Sequence, residues 1–449
     1  MLPLLSLSEA SALDKALIEK CGLDESSLVS SAALGAYETY KDIFRGKSVL
    51  FVVGKGNNGS DALALAALAL PSASKVSVYN HFDKGNEENE RRKSLLPPSA
   101  FVDSPVPSDV IVDGLFGVKC RLPLDERTGR LVDWINSSSS VVLSLDCPSG
   151  MLVRADYTIT FMCQKREMYY PRLRGNAGRI TLFNPGFPPH EIKGDGSAFL
   201  LEDGDYSVPS FGIADYKNTR GHVTVVGGSE KYPGAAVLSS LAAFHAGAGK
   251  VSVLSSPSVR NAVLSSYPSI MVTDSLFQGD SFVVGPGWGE GDRKLLEDVT
   301  ATGKPFVVDA DGIKHLGGLK LSHRAVITPH IGEYTRLCAI LGIEKGDIEK
   351  NIRGVALTLE CVVVLKSSTV LITDGDVLYV CDGANPSLGV AGSGDVLAGI
   401  TGAFLASGMN PLLSAVNAVI LHQRSGREAE RMYGFYSAEN LVDTIGRLR

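Results

Sequence analysis

Short apolar runs rich in β-branched residues alternate with helix-forming stretches along this chain, and they do so in two separate series. Strands that are separated by helices pair in parallel and carry helices on both faces of the sheet, so the pattern predicts an α/β fold with two sheets. Helices are predicted within residues 8–45 and over residues 61–70, and residues 370–380 predict a β-hairpin that turns at Asp374 and Gly375. The predicted strands are 48–53, 76–79, 110–112, 141–145 and 179–183 in the first series, and 222–228, 250–254, 281–284, 306–308, 325–327 and 362–365 in the second.

The length of the chain also favours two domains. Its 449 residues exceed what one hydrophobic core usually serves. Glycine and proline interrupt any regular structure at 184–189 and 193–196, between the two series. We therefore predict one domain over residues 1–205 and a second over residues 206–449.

Composition excludes several classes of protein. The formal net charge is −6, which gives no basic field for nucleic acid. No stretch of about 20 apolar residues is present, and the apolar first seven residues lack the basic segment of a signal peptide. The seven cysteines form no C-x-x-C pair, which is typical of reduced thiols. We expect a cytoplasmic homo-oligomer that binds small molecules and neither nucleic acid nor membrane.

A glycine-rich loop follows the first predicted strand. Gly54, Gly56 and Gly59 have the G-x-G-x-x-G spacing, which lets backbone N–H groups approach an anion. The dinucleotide fingerprint requires an acidic residue at the end of the next strand, where this chain has Asn80 or Asp83. The alternative interpretation of this loop alone is a turn that only joins a strand to a helix.

Polar side chains follow two further strands of the first series. Asp113 follows one strand, and Asp146 and Ser149 follow another. The carboxyl ends of parallel strands meet at one edge of a sheet, where open α/β sheets bind ligands, so these side chains and Asn58 are predicted to share one crevice. Oxygen ligands without cysteine or histidine favour an alkali or alkaline-earth cation.

Together the motifs G-x-G-N-N-G-x-D, D-x-L-F-G and D-x-P-S-G resemble the NAD(P)HX epimerase domain, over most of residues 1–200. This family has a Rossmann-like parallel sheet with flanking helices and interconverts the R and S forms of hydrated NADH and NADPH. The resemblance implies a catalytic role for Asp113 and a potassium ion bound by Asn58, Asp113 and Ser149. It also implies that the nucleotide substrate contacts Asn57, Asn58, Gly59, Ser60, Asp61, Gly117, Val118, Lys119, Cys120, Arg121, Leu122, Pro123 and Asp146.

Several positions depart from the family pattern. Ser60 and Ala62 stand where glycines are usual, Val118 and Lys119 replace a commoner pair, and the loop after Gly150 is short. An alternative is therefore a first domain that has lost catalysis and serves as a binding or scaffold module.

The second glycine loop opens an apolar helix. The run 390–400 reads V-A-G-S-G-D-V-L-A-G-I and places Asp395 in the first helical turn. Backbone amides there can hold a phosphate, and the aspartate can take a proton from a substrate hydroxyl. A buried turn with a capping aspartate is the alternative interpretation.

Other glycine and polar motifs at predicted strand ends accompany this loop, including T-P-H-x-G-E at 328–333 and A-N-P at 384–386. In this order they resemble the ADP- or ATP-dependent NAD(P)H-hydrate dehydratase, a ribokinase-like α/β sandwich, over essentially all of residues 206–449. The resemblance implies that the hydrated nucleotide contacts Ala235, Gly287, His330 and Asp395. It implies an ADP site made of Lys366, Ser367, Ser368, Thr369, Val370 and Gly394.

Some roles in the second half stay open. His330 is either a ligand or a packed histidine beside Pro329. Asp309 and Asp311 either orient Mg²⁺ or support their loop.

The two resemblances imply consecutive steps on one damaged cofactor. The first domain epimerises NADHX or NADPHX, and the second phosphorylates the hydroxyl of the S form and eliminates it, converting ADP to AMP. The alternatives are a dehydratase with a scaffold domain, and a ribokinase-like kinase for a small alcohol.

Overall fold

The computed structural model describes residues 1–276, 279–383 and 385–449. They divide into an N-terminal unit, Leu2–Ala198, and a C-terminal unit, Phe199–Arg449 together with Met1. Ala384, which belongs to the A-N-P motif, lies outside the described residues. No helix among the described residues combines the length and the apolarity that crossing a lipid bilayer requires.

The N-terminal unit is built on a seven-stranded sheet of order β4-β3-β2-β5-β6-β7-β9, and all its strand pairs are parallel. A further parallel pair joins β1 and β8. The strands are β1 Leu2–Leu5, β2 Ser48–Val53, β3 Lys75–Asn80, β4 Phe101–Val102, β5 Val110–Gly114, β6 Val141–Leu145, β7 Tyr157–Phe161, β8 Gln164–Lys165 and β9 Arg179–Phe183. The helices are α1 Leu7–Cys21, α2 Glu25–Phe44, α3 Asn57–Ala69, α4 Glu87–Lys93 and α5 Glu126–Ser137.

Strand β2 shows why this sheet needs helices on both faces. Val49, Phe51 and Val53 pack into one apolar cluster with α2 and α3, whereas Leu50 and Val52 pack into another with α5. Side chains alternate between the two faces of a strand, so a strand that is apolar throughout must be covered twice.

In the C-terminal unit, nine strands of the described residues lie side by side in the order β13-β12-β11-β14-β15-β16-β17-β18-β19. Pairing is parallel from β13 to β17, and β17-β18 and β18-β19 are antiparallel. The strands are β11 His222–Val226, β12 Lys250–Leu254, β13 Met271–Val272, β14 Ser281–Val284, β15 Phe306–Val308, β16 Ala325–Ile327, β17 Val362–Leu365, β18 Val370–Thr373 and β19 Leu378–Cys381. Strand β10, Ala198–Leu200, lies where the chain passes from one unit to the next.

Five of the eight helices of this unit contribute to one large apolar cluster within the described residues. At its centre α11 packs closely against α6, since a Cβ added at Gly399 would lie 2.2 Å from the Ser239 carbonyl oxygen. The helices are α6 Pro233–His245, α7 Pro257–Ser266, α8 Arg293–Ala301, α9 Ile331–Ile340, α10 Ile348–Leu359, α11 Ser393–Ala406, α12 Pro411–Tyr433 and α13 Ala438–Leu448.

The α/β class with two largely parallel sheets is confirmed, and so is the antiparallel hairpin, in which Thr373 pairs with Leu378. One difference bears on function. The helix predicted from residue 61 begins at Asn57 instead. The segment 57–61 is therefore the first turn of α3 and not an extended loop.

Two candidate active sites

A cavity of about 360 Å³ lies within the N-terminal unit at the carboxyl ends of β2, β5 and β6. Helices α1 and α2 and the first turn of α3 also contribute to its wall. The predicted residues Asn57, Asn58, Asp61, Gly117, Val118, Lys119 and Asp146 line this cavity.

Two glycines bring the first turn of α3 to this edge. A Cβ at Gly54 would lie 1.8 Å from the Leu115 carbonyl oxygen, and one at Gly59 would lie 2.1 Å from the carbonyl oxygen of Gly54. Only glycine permits such approaches. Helix α3 has no side chain hydrogen-bonded at its N-cap, Gly56, so its positive end faces the cavity.

Asp113 lies beneath the cavity and does not line it. One carboxylate oxygen accepts hydrogen bonds from the Ser149 hydroxyl at 2.6 Å and the Leu115 amide at 3.3 Å. The other accepts from the Ser144 hydroxyl at 2.8 Å and the Ser149 amide at 2.9 Å. Burial raises the pKa of Asp113, although these hydrogen bonds oppose the shift. Asp113 thus joins β5 to the loop after β6, and its catalytic role stays a prediction.

The surroundings of Asn58 suit a cation. Its side chain is buried, and in the described part of the chain neither amide atom has a hydrogen-bond partner. The Ser149 hydroxyl lies 3.2 Å from the Phe116 carbonyl oxygen and is hydrogen-bonded to Asp113. An unpaired buried amide costs free energy, which a bound cation among oxygen donors would recover. These donors therefore fit the potassium ion that the sequence implies.

Other predicted substrate contacts lie elsewhere. The Ser60 hydroxyl is fully buried and donates to Asn89 Oδ1 on α4 at 2.5 Å. Leu122 is exposed. Among the residues that the structure describes, the wall of the cavity does not include Gly59, Ser60, Cys120, Arg121, Leu122 or Pro123.

Two residues that the sequence reasoning missed line the same cavity, Asp14 and Lys165. The Lys165 ammonium is almost fully enclosed and donates to Asp146 Oδ1 at 2.5 Å, Thr160 Oγ1 at 2.7 Å and the Phe161 carbonyl at 2.7 Å. Burial alone lowers the pKa of Lys165, but Asp146 outweighs it and the pKa is raised. Asp14 was detectable as an acid within the apolar stripe of Ala10, Leu17 and Ile18 on α1.

In the C-terminal unit, Lys366 and Asp309 form an ion pair at the start of α11. Lys366 Nζ lies 2.7 Å from Asp309 Oδ1, which also accepts from the Thr328 hydroxyl at 2.8 Å. A Cβ added at Gly394 would lie 3.2 Å from Lys366 Nζ. The ammonium therefore lies at the N-terminal turn of the helix, where both can attract a phosphate.

Asp395 lies in the same turn, and its pKa is strongly shifted. Burial raises its pKa to about 7, and Asp309 adds to the rise while Lys366 opposes it. A carboxylate with a pKa near the working pH is suited to take a proton from an alcohol and to release it again.

The remaining predicted contacts of the hydrated nucleotide lie near these groups. A Cβ at Gly287 would lie 2.8 Å from that of Ala235, and φ at Gly287 is +58°. His330 pairs with Lys366 in an isolated parallel bridge and caps α9 through Nδ1, which accepts from the Gly332 amide at 2.9 Å. Its side chain is 56% exposed, so His330 is not packed in the core.

A second cavity, of about 450 Å³, extends from Lys366 and Gly394 along α12. Its wall also includes Asn385, from the A-N-P motif, and Leu388, His422 and Gln423, to which the sequence assigned no role. Gln423 Oε1 and Asn385 Nδ2 are buried and lack hydrogen-bond partners within the described ranges. Burial lowers the pKa of His422 to about 4, and its Nε2 donates to the Ser393 carbonyl at 2.9 Å. Of the predicted ADP site, Lys366, Ser367, Ser368, Val370 and Gly394 line the cavity, whereas Thr369 does not.

Asp309 and Asp311 both support loops. Asp311 accepts from the Gly289 amide at 2.8 Å, and Asp309 is paired as described. Across the described residues no group of three His, Cys, Asp or Glu side chains is placed to hold a metal ion. The donors present fit a Mg²⁺ ion that is bound chiefly through phosphate oxygens and water, as Mg²⁺ commonly is.

Comparison with known proteins separates the same two regions. A family model described as NAD(P)H-hydrate dehydratase matches residues 223–447, and one described as YjeF-related protein N-terminus matches residues 25–167. The chain is 29% identical to the bifunctional NAD(P)H-hydrate repair enzyme Nnr of Coxiella burnetii, over 93% of each chain. It is 28% identical to the protein of the same name from Escherichia coli, over 89% of this chain and 84% of that one.

A solved structure shows the fold of the C-terminal unit. A ribokinase-like superfamily protein from Enterococcus faecalis matches with a TM-score of 0.52 and 24% identity, covering 57% of this chain and 96% of that protein. The predicted ribokinase-like architecture is thereby confirmed.

Proposed function

The chain belongs to the NAD(P)H-hydrate dehydratase family, and from that premise we propose how its two sites divide the repair of hydrated NADH and NADPH. The enzyme is a bifunctional NAD(P)H-hydrate epimerase and dehydratase. We assign the epimerase to residues 1–205 and the dehydratase to residues 206–449.

Asp395 carries the proposal for the dehydratase. Its carboxylate takes the proton of the substrate hydroxyl, and the oxygen attacks the terminal phosphoryl group of ADP, which releases AMP. The phosphate then leaves with the C–O electron pair while the neighbouring carbon loses a proton to the departing phosphate, and the ring double bond returns. Phosphorylation is needed because hydroxide is a poor leaving group, whereas phosphate is a good one.

The chain's own groups position these reactants. Ala235, Gly287 and His330 surround the hydrated nicotinamide, and Lys366 with the amides at Gly394 holds the phosphates. Ser367, Ser368, Thr369 and Val370 complete the ADP site. A magnesium ion would neutralise charge on the transferring phosphoryl group.

The base of the nucleotide occupies the far end of the second cavity. The unpartnered Gln423 Oε1 accepts a hydrogen bond from the adenine amino group, and Asn385 Nδ2 donates to a ring nitrogen. Adenine offers such a donor beside an acceptor.

The N-terminal cavity binds the hydrated nucleotide at the positive end of α3. Asn57, Asn58 and Asp61 contact it from the helix, and Gly117, Val118, Lys119 and Asp146 contact it from the loops after β5 and β6. Asn58, Asp113 and Ser149 would hold the potassium ion, whose charge would stabilise the first turn of α3 beside β5.

One experiment tests both activities. A mixture of R and S NADHX is incubated with the enzyme, ADP and Mg²⁺, and NADH is followed by its near-ultraviolet absorbance. Complete conversion at a rate well above spontaneous epimerisation is expected. A halt when the S form is consumed would mean that the first domain is a scaffold, and a stable phosphorylated product without NADH would mean that the second domain is a simple kinase.

A further inference from the structure

The epimerase cavity needs an acid and a base that touch the substrate, and Asp113 does not reach its wall. Three other carboxyl groups of the inner wall do, namely Asp14, Asp61 and Asp146, and Glu25 lies at the rim. If the proposed epimerase function holds, two of these carboxyl groups must exchange protons with the substrate.

Asp146 is held as a fixed, charge-paired carboxylate. Its Oδ1 accepts from Lys165 Nζ at 2.5 Å, and its Oδ2 accepts from the Val118 amide at 3.3 Å. Its φ of +66° is rare for a residue with a side chain, so the loop after β6 imposes this position. Strain of this kind persists where the surrounding structure fixes a group for a purpose.

Lys165 itself cannot serve as the proton donor. An ammonium group has three hydrogens, and Asp146, Thr160 and the Phe161 carbonyl accept all three. Lys165 therefore acts through Asp146 and is a positioning residue.

Asp14 provides a contrasting carboxyl group on another wall. It lies on the inward stripe of α1, and within the described residues its carboxyl has no hydrogen-bond partner. Burial raises the pKa of Asp14, Lys119 and Lys165 oppose the rise, and Asp146 and Glu25 add to it. Asp61, which faces both Asp14 and Asp146, has a pKa raised still further by burial. Asp146 is thus paired with an ammonium group whereas Asp14 is not hydrogen-bonded in the described residues, and two carboxyl groups in such different surroundings can serve as an acid and a base.

We propose that Asp14 and Asp146 are the acid and the base of the epimerisation, and that Lys165 positions Asp146. In a hydrated dihydronicotinamide the hydroxyl-bearing carbon is bonded to the ring nitrogen, because an enamine takes up water at the carbon beside nitrogen. That carbon can lose and regain its hydroxyl without any redox cofactor.

The proton and electron balance is complete. Asp14 gives its proton to the hydroxyl oxygen, the C–O bond breaks with its electron pair on oxygen, and water leaves as the nitrogen lone pair forms a C=N⁺ bond. Water then attacks the other face of the carbon, the C=N pair returns to nitrogen, and Asp146 takes a proton from that water. The enzyme is left with Asp14 ionised and Asp146 protonated, which is the starting state for the reverse direction.

The test uses the full chain and follows R to S conversion of NADHX by chromatography. Asp14→Asn and Asp146→Asn are expected to lose at least about 100-fold of the epimerisation rate, which is the usual contribution of one acid or base. Asp133→Asn on α5 is the matched control, because Asp133 is exposed and does not line the cavity, and it is expected to keep the wild-type rate. The rate of dehydration of pure S-NADHX should be the same in wild type and in each variant, which shows that the variants are folded.

Two further measurements address the roles separately. In Lys165→Met the carboxylate of Asp146 has lost the ammonium group that holds its Oδ1, so the epimerisation rate should fall, and Lys165→Arg, which keeps a donor and a positive charge, should restore part of it; equal rates in the two variants would assign Lys165 a structural role only. In H₂¹⁸O each wild-type epimerisation should place one ¹⁸O in the product, measured against the uncatalysed exchange.

The outcomes distinguish this inference from the proposed function. A wild-type chain that does not epimerise NADHX refutes the epimerase assignment itself. If the wild-type chain epimerises NADHX and either Asp14→Asn or Asp146→Asn epimerises it at a similar rate, the acid and base pair is refuted. If the product keeps its ¹⁶O, the loss of water is refuted.

Discussion

At the scale of single residues, the acidity of Asp395 decides when the dehydratase works. Its raised pKa of about 7 means that the carboxylate predominates only above that pH. Since the base must be ionised to accept the hydroxyl proton, the rate of NADH formation from S-NADHX should rise through pH 7 and level off above it. A steady-state pH profile with ADP and Mg²⁺ measures this, and a flat profile between pH 6 and pH 8 would contradict it.

The ionised Asp395 should also lower the stability of the folded chain at the pH at which the dehydratase is active. A carboxyl group whose pKa is higher in the folded state binds more protons when folded, so its unfavourable effect on folding grows as pH rises from about 4 towards 7 and is complete above that. Asp395→Asn removes the buried charge. The variant should lose at least about 1,000-fold of the dehydratase rate and yet unfold at a higher temperature than wild type at pH 8. At pH 5 the difference in unfolding temperature should shrink, and its persistence would contradict this account.

Gln423 should determine the preference for adenine. Gln423→Leu removes a buried acceptor that lacks a partner within the described ranges, and the KM for ADP should rise about tenfold, the usual effect of one lost hydrogen bond in a closed site. Inosine diphosphate has no amino group at that position, so its KM should change little. Equal effects on both nucleotides would mean that Gln423 does not contact the base.

At the scale of secondary-structure elements, the first turn of α3 connects cation binding to stability. A ligand that binds only the folded state raises its stability in proportion to its concentration. Replacing choline chloride with KCl at constant ionic strength should therefore raise the unfolding temperature of wild type. Asn58→Leu fills the amide site with an apolar group and should abolish that response, while Asn57→Leu, at the rim, should retain it. A KCl effect of equal size in all three proteins would contradict the potassium site.

The contact between α6 and α11 is equally specific. Gly399→Ala places a methyl group 2.2 Å from a backbone oxygen and should destabilise the protein by at least about 2 kcal/mol, because the two helices must separate. Gly354→Ala in α10 is the matched control, since its nearest neighbour is 4.0 Å away and alanine is favoured over glycine in a helix by up to about 1 kcal/mol. Urea unfolding measures both changes, and equal destabilisation would contradict the close packing.

An element could be predicted from the sequence when a short stretch of its own residues marks it as a helix or a strand. Strands such as β2 and β14 were predictable because a run of buried apolar residues needs no information from elsewhere in the chain. The two-residue strands β4, β8 and β13 have no such run, since their neighbours in the sheet define them. The start of α3 was missed because Gly56 and Asn57 carry no helical signal, and the close approach of Gly54 to Leu115, which follows β5, is not visible in the local sequence.

A site residue could likewise be predicted only when the residues around it in the sequence form a recognisable motif. Asp395 and Lys366 stand in recognisable loops, whereas Gln423 lies in the middle of a long helix and Lys165 in a two-residue strand. Nothing local marks either residue as functional, because the cavity that each one lines is formed by segments distant in sequence.

At the scale of the whole molecule, each active site belongs to one unit with its own core, which makes the two activities separable. Asp14→Asn should block only epimerisation and Asp395→Asn only dehydration. Mixing the two variant proteins should therefore restore complete conversion of mixed R and S NADHX, because the S form can diffuse from one protein to the other. Near-ultraviolet absorbance measures the recovery. Failure of the mixture, with each variant active in its unaltered step, would mean that the S form is not released.

The enclosure of Lys165 has a chemical consequence outside catalysis. An amine whose three hydrogens are all accepted by neighbouring oxygens, and whose side chain is 2% exposed, has no lone pair to offer an acylating reagent. Lys165 should stay unlabelled by acetic anhydride in the native chain while exposed lysines such as Lys15 react. The rate at which Lys165 is acetylated, measured by mass spectrometry, would then report how often the N-terminal core opens.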